Sequence, residues 1–533
     1  MKTIYYNGTI LTMNDNQKIV QAICIENGKI LATGNDETIL AYRQEDSTCI
    51  DLHKQVMMPA FIDPHSHFFG LANSLSECDL TEAQSFDDII EKLQHFIAEN
   101  HIPKGEWVRG RSYDQNFLKE GTHPTKDVLD KASSEHKIVI SHVSSHMGCA
   151  NTLALQAKHI DANTPNPKGG VVHRYKDSQE PNGFLEENAF IQWMQSGQAP
   201  KPEEIMKNVQ KAQQIYASYG ITTVQDGMVA APLYDILTHL AQNHQLYLDV
   251  IGYMDVVTAQ NIVEDPNNHY VNQYQNHFKI GGYKIFLDGS PQGCTAWMSQ
   301  PYENQKDYKG YPIYTDEQVA HYIDVALQDH QTLLAHANGD MAAEQFISLY
   351  EKASQTHENL YHPVLVHAQL TRPDQLERMP ALGMIPTFFI AHTYYWGDIH
   401  LKNFGKRGES ISAAKTALDL GLPFTFHQDS PVVPPDMMKT VWCAVNRITR
   451  NGNVIGEDQK IDVYSALKAI TIHGAIQYGE EKEKGSIEPG KQANLVLLSD
   501  NPLTIDCKKL DQIQVLETIC QGKTIYKKTG NLA

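Results

Sequence analysis

From about Pro59 to Tyr478, short apolar runs of strand length alternate with amphipathic stretches of helical period. This is the pattern of βαβ units and predicts a parallel sheet. The runs VMMPAFID, ITTVQD, LYLDVIGY, KIGGYKIFLD, TLLAH, PVLVHA, MIPTFF and LPFTFHQD make eight strands, the number that closes a (β/α)8 barrel. The intervening helices are equally legible. Between Lys201 and Gly220, Ile205, Val209, Ala212 and Tyr216 fall on one face, and Gly220 stands where a C-terminal cap belongs. Thr315-Asp316-Glu317-Gln318 has the form of a capping box, with Val319, Ile323 and Ala326 along one side of the helix that follows.

The two ends of the chain read differently. Residues 1 to about 58 are short strands, in which Asn7-Gly8 and Asn27-Gly28 favour the primed turns of β-hairpins. GSIEPGKQANLVLLSD and VLETICQGKTIYKK repeat that style near the C-terminus. The expectation is an α/β protein: a (β/α)8 TIM-like barrel over residues 59–479, beside a β-sandwich built from 1–58 plus 480–533. The extra strand-like run KIVISHV near Ile138 then belongs to an insertion after the first barrel strand, at about 70–200. Long excursions of this kind usually shape an active site.

Composition narrows the function classes. A length of 533 residues supports more than one core, and 41% hydrophobic with 20% charged residues is ordinary for a globular protein. No run suits a membrane helix, and MKTIYYNGTILTM reads as a strand rather than a signal peptide, so the cytoplasm is the expected location. The eight cysteines form no Cys-x-x-Cys pair, which argues against a zinc knuckle or a disulfide framework. A net charge of −19 would repel a phosphate backbone. The expected partner is a small-molecule substrate, not nucleic acid or a membrane, with a homodimer favoured by base rate alone.

Five segments end an apolar run on a metal-type ligand: Asp63-Pro64-His65-Ser66-His67, Lys284 in GGYKIFLDGS, His336 in LLAHANGD, His367 in VLVHAQ and Asp429 in FTFHQDSPV. A parallel barrel gathers the carboxyl ends of its strands at one mouth, so the ordered set points to one centre. Singly, each is weak. With 25 His in 533 residues, about one His-x-His pair arises by chance, and a strand-end histidine can be a hydrogen-bonded structural residue. His65 and His67 lie two apart in an extended segment and so leave the same face. Lys284 sits in an apolar strand, where an ammonium is costly unless paired or neutralised. Its neutral amine can take up carbon dioxide to give a bridging carbamate; the competing reading pairs it with Asp288 or turns it to solvent. Asp429 can bind metal and move a proton, or cap the segment beginning Ser430-Pro431. Imidazole and carboxylate ligands suit a divalent metal, zinc first, with one or two ions per chain. His357 and His362 are five apart and miss the metalloprotease spacing, and neither a nucleophile elbow nor a Walker loop is present.

These residues, together with WVRGRSYDQNF, SSHMGCANTLAL, GITTVQDG, KIFLDGSPQGCTA and KGSIEPGKQANLVLLSDNP, resemble the amidohydrolase superfamily. Within it they are similar to the YtcJ-like group that includes N-substituted formamide deformylases. The resemblance implies metal ligands at His65, His67, carboxylated Lys284, His336, His367 and Asp429. It also places His146, Tyr113, Asp114 and Asp288 at landmark positions near substrate. His392, ending MIPTFFIAH, is a candidate to polarise the scissile carbonyl or to hold substrate. Gln428 stands where a small residue often precedes the aspartate, and Asn494 replaces an acidic residue. The expected activity is hydrolysis of a non-peptide C–N bond, an amide or formamide of a small molecule, by metal-activated hydroxide, with Asp429 as proton shuttle. Two alternatives stay open: a mononuclear-metal deaminase of a heterocyclic amine, and a catalytically silent metal-binding regulatory scaffold.

Overall fold

A computed structural model describes residues 2–115, 117–143, 147–195, 202–303, 305–357 and 361–528. Its eight-stranded sheet runs in sequence order through Phe61–Ile62, Ile221–Val229, Asp249–Asp255, Phe278–Phe286, Thr332–Ala337, Val364–His367, Ile385–Phe388 and Thr425–Phe426. Every neighbouring pair is parallel. Five of these strands are buried along their whole length, as expected of a parallel sheet covered on both faces. The segments that follow the first and last strands meet, where the His67 amide donates to the Ser430 carbonyl at 2.9 Å.

The helices follow their local signals. Pro202–Ser218 buries Val209, Ala212 and Tyr216, and the chain leaves it through Gly220 at φ +83°, a conformation that costs glycine little. Asp316–Gln328 opens on a complete capping box: Thr315 Oγ1 accepts from the Gln318 amide while Gln318 Oε1 accepts from the Thr315 amide.

Contact density divides the chain into two compact units, residues 1–70 with 212–533, and Leu71–Lys211. In the first unit the chain ends form two further sheets. One has the order Lys29–Gly34, Ala22–Glu26, Lys2–Tyr6, Thr48–Asp51; the other Lys523–Lys527, Val515–Cys520, Leu495–Leu498, Val56–Pro59, Thr9–Leu11, Ile19–Val20. N- and C-terminal segments pair directly, with Leu495 opposite Pro59 in antiparallel register. Tyr5, Ile23 and Ile25 of the first sheet share a buried cluster with Ile10, Met57, Leu495 and Ile519 of the second.

Two local expectations change. The run VMMPAFID is not one strand: Val56–Pro59 joins the terminal sheet and only Phe61–Ile62 the eight-stranded one. Asn27-Gly28 closes a hairpin, with Glu26 opposite Lys29 and both turn residues at positive φ. Asn7-Gly8 does not; Lys2–Tyr6 and Thr9–Leu11 pair in different sheets, so this turn carries the chain from one layer to the other.

The second unit carries its own six-stranded sheet, ordered Gly170–Arg174, Pro181–Glu187, Met147–Ala150, Lys137–His142, Trp107–Tyr113, Glu77–Asp79. KIVISHV supplies its Lys137–His142 strand, and Val108, Ile138, Ile140, Leu93 and Leu129 form its core. Among the described residues no helix is long and apolar enough to cross a membrane.

Candidate metal centre

The strand ends bring the six candidate ligands into one largely buried cluster. His65 and His67 follow Phe61–Ile62, and their Nε2 atoms both approach Asp429 Oδ1 at 3.2 Å. Lys284, fully buried in Phe278–Phe286, has Nζ 3.4 Å from His65 Nε2. His336 and His367 end neighbouring strands, with His336 Nδ1 3.1 Å from His367 Nε2. Donor atoms of His65, His367 and Asp429 all lie within 4.8 Å of one another. His367 and Asp429 hold left-handed backbone at φ +71° and +56°, strain of the kind that surrounding structure sustains at working sites. The Asp429 carboxylate turns to the histidines, while its carbonyl takes the Val432 amide.

Electrostatics keep these donors available. Burial, reinforced by Lys284, pushes His65 down to about 4 and His336 down to about 3. Burial also drives His367 well below the imidazole range, with His336 adding to it. These rings are therefore neutral and carry lone pairs. Desolvation brings the Lys284 amine down to about 7 despite Asp429.

The tautomer of His65 tests whether a cation fits. Gln225 Nε2 donates to the Pro64 carbonyl at 2.7 Å, so its Oε1 faces His65 Nδ1 at 2.6 Å and accepts that N–H. The other nitrogen, Nε2, then points a lone pair at the Asp429 carboxylate, whose buried Oδ1 has no hydrogen-bond donor among the described residues. Lone pair and anion face each other at 3.2 Å, an arrangement that a divalent ion satisfies and an empty contact does not. The donor set fits a metal.

Several residues of the centre were not singled out in the sequence. His427 Nε2 lies 3.0 Å from His367 Nδ1, and its Nδ1 meets Thr387 Oγ1 at 2.9 Å, so it orients the His367 ring from behind. Its signal was the i, i+2 spacing to Asp429, the same that marks His65 and His67. Asp226 receives the Phe69 amide at 2.9 Å, and burial raises its carboxyl to about 6 against the pull of His67. Gly227 is required by close approach, since a Cβ there would stand 2.6 Å from His65 Cε1.

The remaining candidates are placed as follows. His392 is buried, with its ring 4.5 Å from Phe389, which in turn lies 5.3 Å from His427. Asp288 accepts the backbone amides of Trp297, Asn338 and Gly339 at 2.7–3.0 Å, and so organises the loop that carries Asn338. In the second unit Tyr113 is fully buried, its hydroxyl against His123 Nδ1 at 2.9 Å and Cys149 Sγ at 3.3 Å, and Asp114 lies 3.8 Å from His142. His146 falls outside the described residues. Gln428 is tied to the following helix through Thr440 Oγ1 and Met437 Sδ, while Asn494 Oδ1 accepts the Gln521 amide at 2.7 Å inside the terminal sheets.

Comparison with known proteins converges on one group. The amidohydrolase family profile matches residues 48–526. YtcJ of Bacillus subtilis (strain 168), named as an amidohydrolase, is 27% identical over 567 aligned positions, covering 99% of this chain and 100% of that one. The N-substituted formamide deformylase of Arthrobacter pascens is 24% identical, covering 98% of each. Among solved structures, an uncharacterized metal-dependent hydrolase from Pyrococcus horikoshii OT3 superposes with a TM-score of 0.76 at 24% identity, over 95% of this chain and 99% of the other.

Proposed function

The chain belongs to the amidohydrolase family, and from that premise we propose that it is a metal-dependent hydrolase cleaving a C–N bond, an amide or formamide, of a small molecule. The observation that carries this reading is the convergence of His65, His67, Lys284, His336, His367 and Asp429 from separate strand ends onto one buried cluster. The names of the similar hydrolases and deformylase support it. We read the parallel sheet as a (β/α)8 barrel over residues 59–479, supported by the hydrogen bond between the segments that follow its first and last strands, and the terminal sheets, 1–58 with 480–533, as a β-sandwich.

His65, His67, His336, His367 and Asp429 would hold the metal, zinc by the chemistry of the donors. When bound, the ion lowers the pKa of water and polarises the substrate carbonyl. The Lys284 amine, at about 7, is substantially neutral near neutral pH. Its nitrogen lone pair can add to carbon dioxide with loss of one proton, leaving an anionic carbamate ligand. Asp429 accepts the proton of the attacking water and returns it to the leaving nitrogen. His392 donates to the carbonyl oxygen. A single-ion reading, with Lys284 unmodified and a deamination reaction, is favoured by the tight grouping of His65, His367 and Asp429 alone.

Elemental analysis of metal per chain, wild type against Lys284→Ala, separates these. Two ions falling to one or none supports the bridged centre. One ion unaffected by the substitution supports the single-ion deaminase, and no bound metal sinks both. Formamides, acyl amines, N-acyl amino acids and lactams form the substrate panel.

A further inference from the structure

We infer that His400 is a positioning residue that fixes the tautomer of His392, leaving His392 Nε2 as an N–H donor toward the substrate carbonyl. The inference rests on the reading of His392 given above.

His400 lies in Gly397–Phe404 and is completely buried. Its Nε2 is 3.1 Å from His392 Nδ1, and the two rings stack at 5.3 Å with an interplanar angle of 10°. Burial pushes His400 down to about 3 and drives His392 well below the imidazole range, so both rings are neutral. A single proton then occupies the Nδ1···Nε2 contact, and two arrangements are possible.

Either ring can carry the proton, but the environments of the outer nitrogens differ. Buried His400 Nδ1 has no hydrogen-bond partner among the described residues. If His392 donated, His400 would carry its own proton on that Nδ1, as a buried N–H without an acceptor, the rarer and more costly kind of orphan. If His400 donates from Nε2, its Nδ1 holds only a lone pair, and the proton of His392 lies on Nε2. That nitrogen has no hydrogen bond among the described residues and is free to meet an oxygen on which charge develops. Trp396, 4.5 Å from the His392 ring, and Phe404, 6.1 Å from the His400 ring, pack the pair.

Neutron diffraction from crystals of the zinc-loaded protein reads the proton directly. Deuterium on His392 Nε2 is expected; deuterium on Nδ1 overturns the inference whether or not a substrate is known. With formanilide as probe, His400→Leu should lower kcat about 10- to 100-fold at unchanged KM, while His400→Gln, whose amide N–H replaces the donor, should restore most of it. Equal losses in both variants would mean a packing role and overturn the inference. His392→Ala separates the two levels: full activity there defeats the reading of His392, whereas loss there with full activity in His400→Leu defeats only the role of His400.

Discussion

At the scale of single residues, the centre depends on which atom each side chain presents. Asp429 is reached by both His65 and His67, and Asp429→Asn keeps its size while removing its basicity. That variant should lose about 10²–10⁴-fold in kcat with an unchanged circular dichroism spectrum; normal turnover would remove Asp429 from the mechanism. Gln225 acts one step back, by holding the N–H of His65 away from the centre. Gln225→Leu should weaken metal affinity about 10- to 100-fold, measured by chelator competition. The candidate ligands were legible because His65, His67, His336, His367 and Asp429 follow apolar runs and Lys284 interrupts one. Gln225 and His427 were not, because a polar residue in a buried strand takes its meaning from the partner opposite, and that partner is 160 residues away for Gln225.

Elements set where those side chains arrive. Phe278–Phe286 carries Lys284 and contains a register shift against Asp249–Asp255, between Gly252 and Tyr253. Gly282, within this strand, has φ +142°, and a Cβ there would stand 2.1 Å from the Thr332 carbonyl. Gly282→Ala should therefore destabilise the protein by about 3 kcal/mol and lower its metal content, read by urea unfolding and elemental analysis; wild-type stability would show that the strand relaxes freely. Helix signals proved local and readable, as the Thr315 capping box shows. Sheet membership did not: VMMPAFID divides between two sheets and Asn7-Gly8 joins two layers, because a strand's partner is chosen by long-range packing, not by its own alternation.

On the scale of the whole molecule, a buried ionic cluster fastens the segment before the last strands to the parallel sheet. Lys484 pairs with Asp249 and, at 3.1 Å, with Glu480, which also takes Lys279 at 2.7 Å; His277 meets Asp249 at 2.8 Å. Burial opposes the charge on Asp249, but Lys484 and His277 outweigh it and leave its carboxyl at about 2, below an unfolded value of about 3.9. That stabilisation is complete above the unfolded value and is lost as pH falls through about 2. Burial likewise opposes the charge on Lys484, yet Asp249 and Glu480 raise its pKa, so its contribution is complete below about 10.4 and is lost at higher pH. Lys484→Met leaves buried Asp249 with His277 alone and Glu480 with Lys279 alone, and should cost about 3–5 kcal/mol. In urea melts the deficit should be largest between about pH 4 and 10 and shrink on acidification; a pH-independent deficit would mean that only packing was lost.

The order of apolar runs, the helix caps and the ligand types were already present in the chain as a linear pattern, because hydrophobic period and local hydrogen bonding act over a few residues. They were enough to predict an α/β protein with one metal centre at its strand ends. The tautomer of His65, the support of His367 by His427, the pairing of His392 with His400, and the joining of Leu495 to Pro59 emerged only in the folded molecule. Each depends on two groups that no local pattern links, eight residues apart for His392 and His400 and 60 or more for the others, meeting in a buried, low-dielectric place, where an unmade hydrogen bond or an unpaired charge is costly enough to dictate which atom faces which.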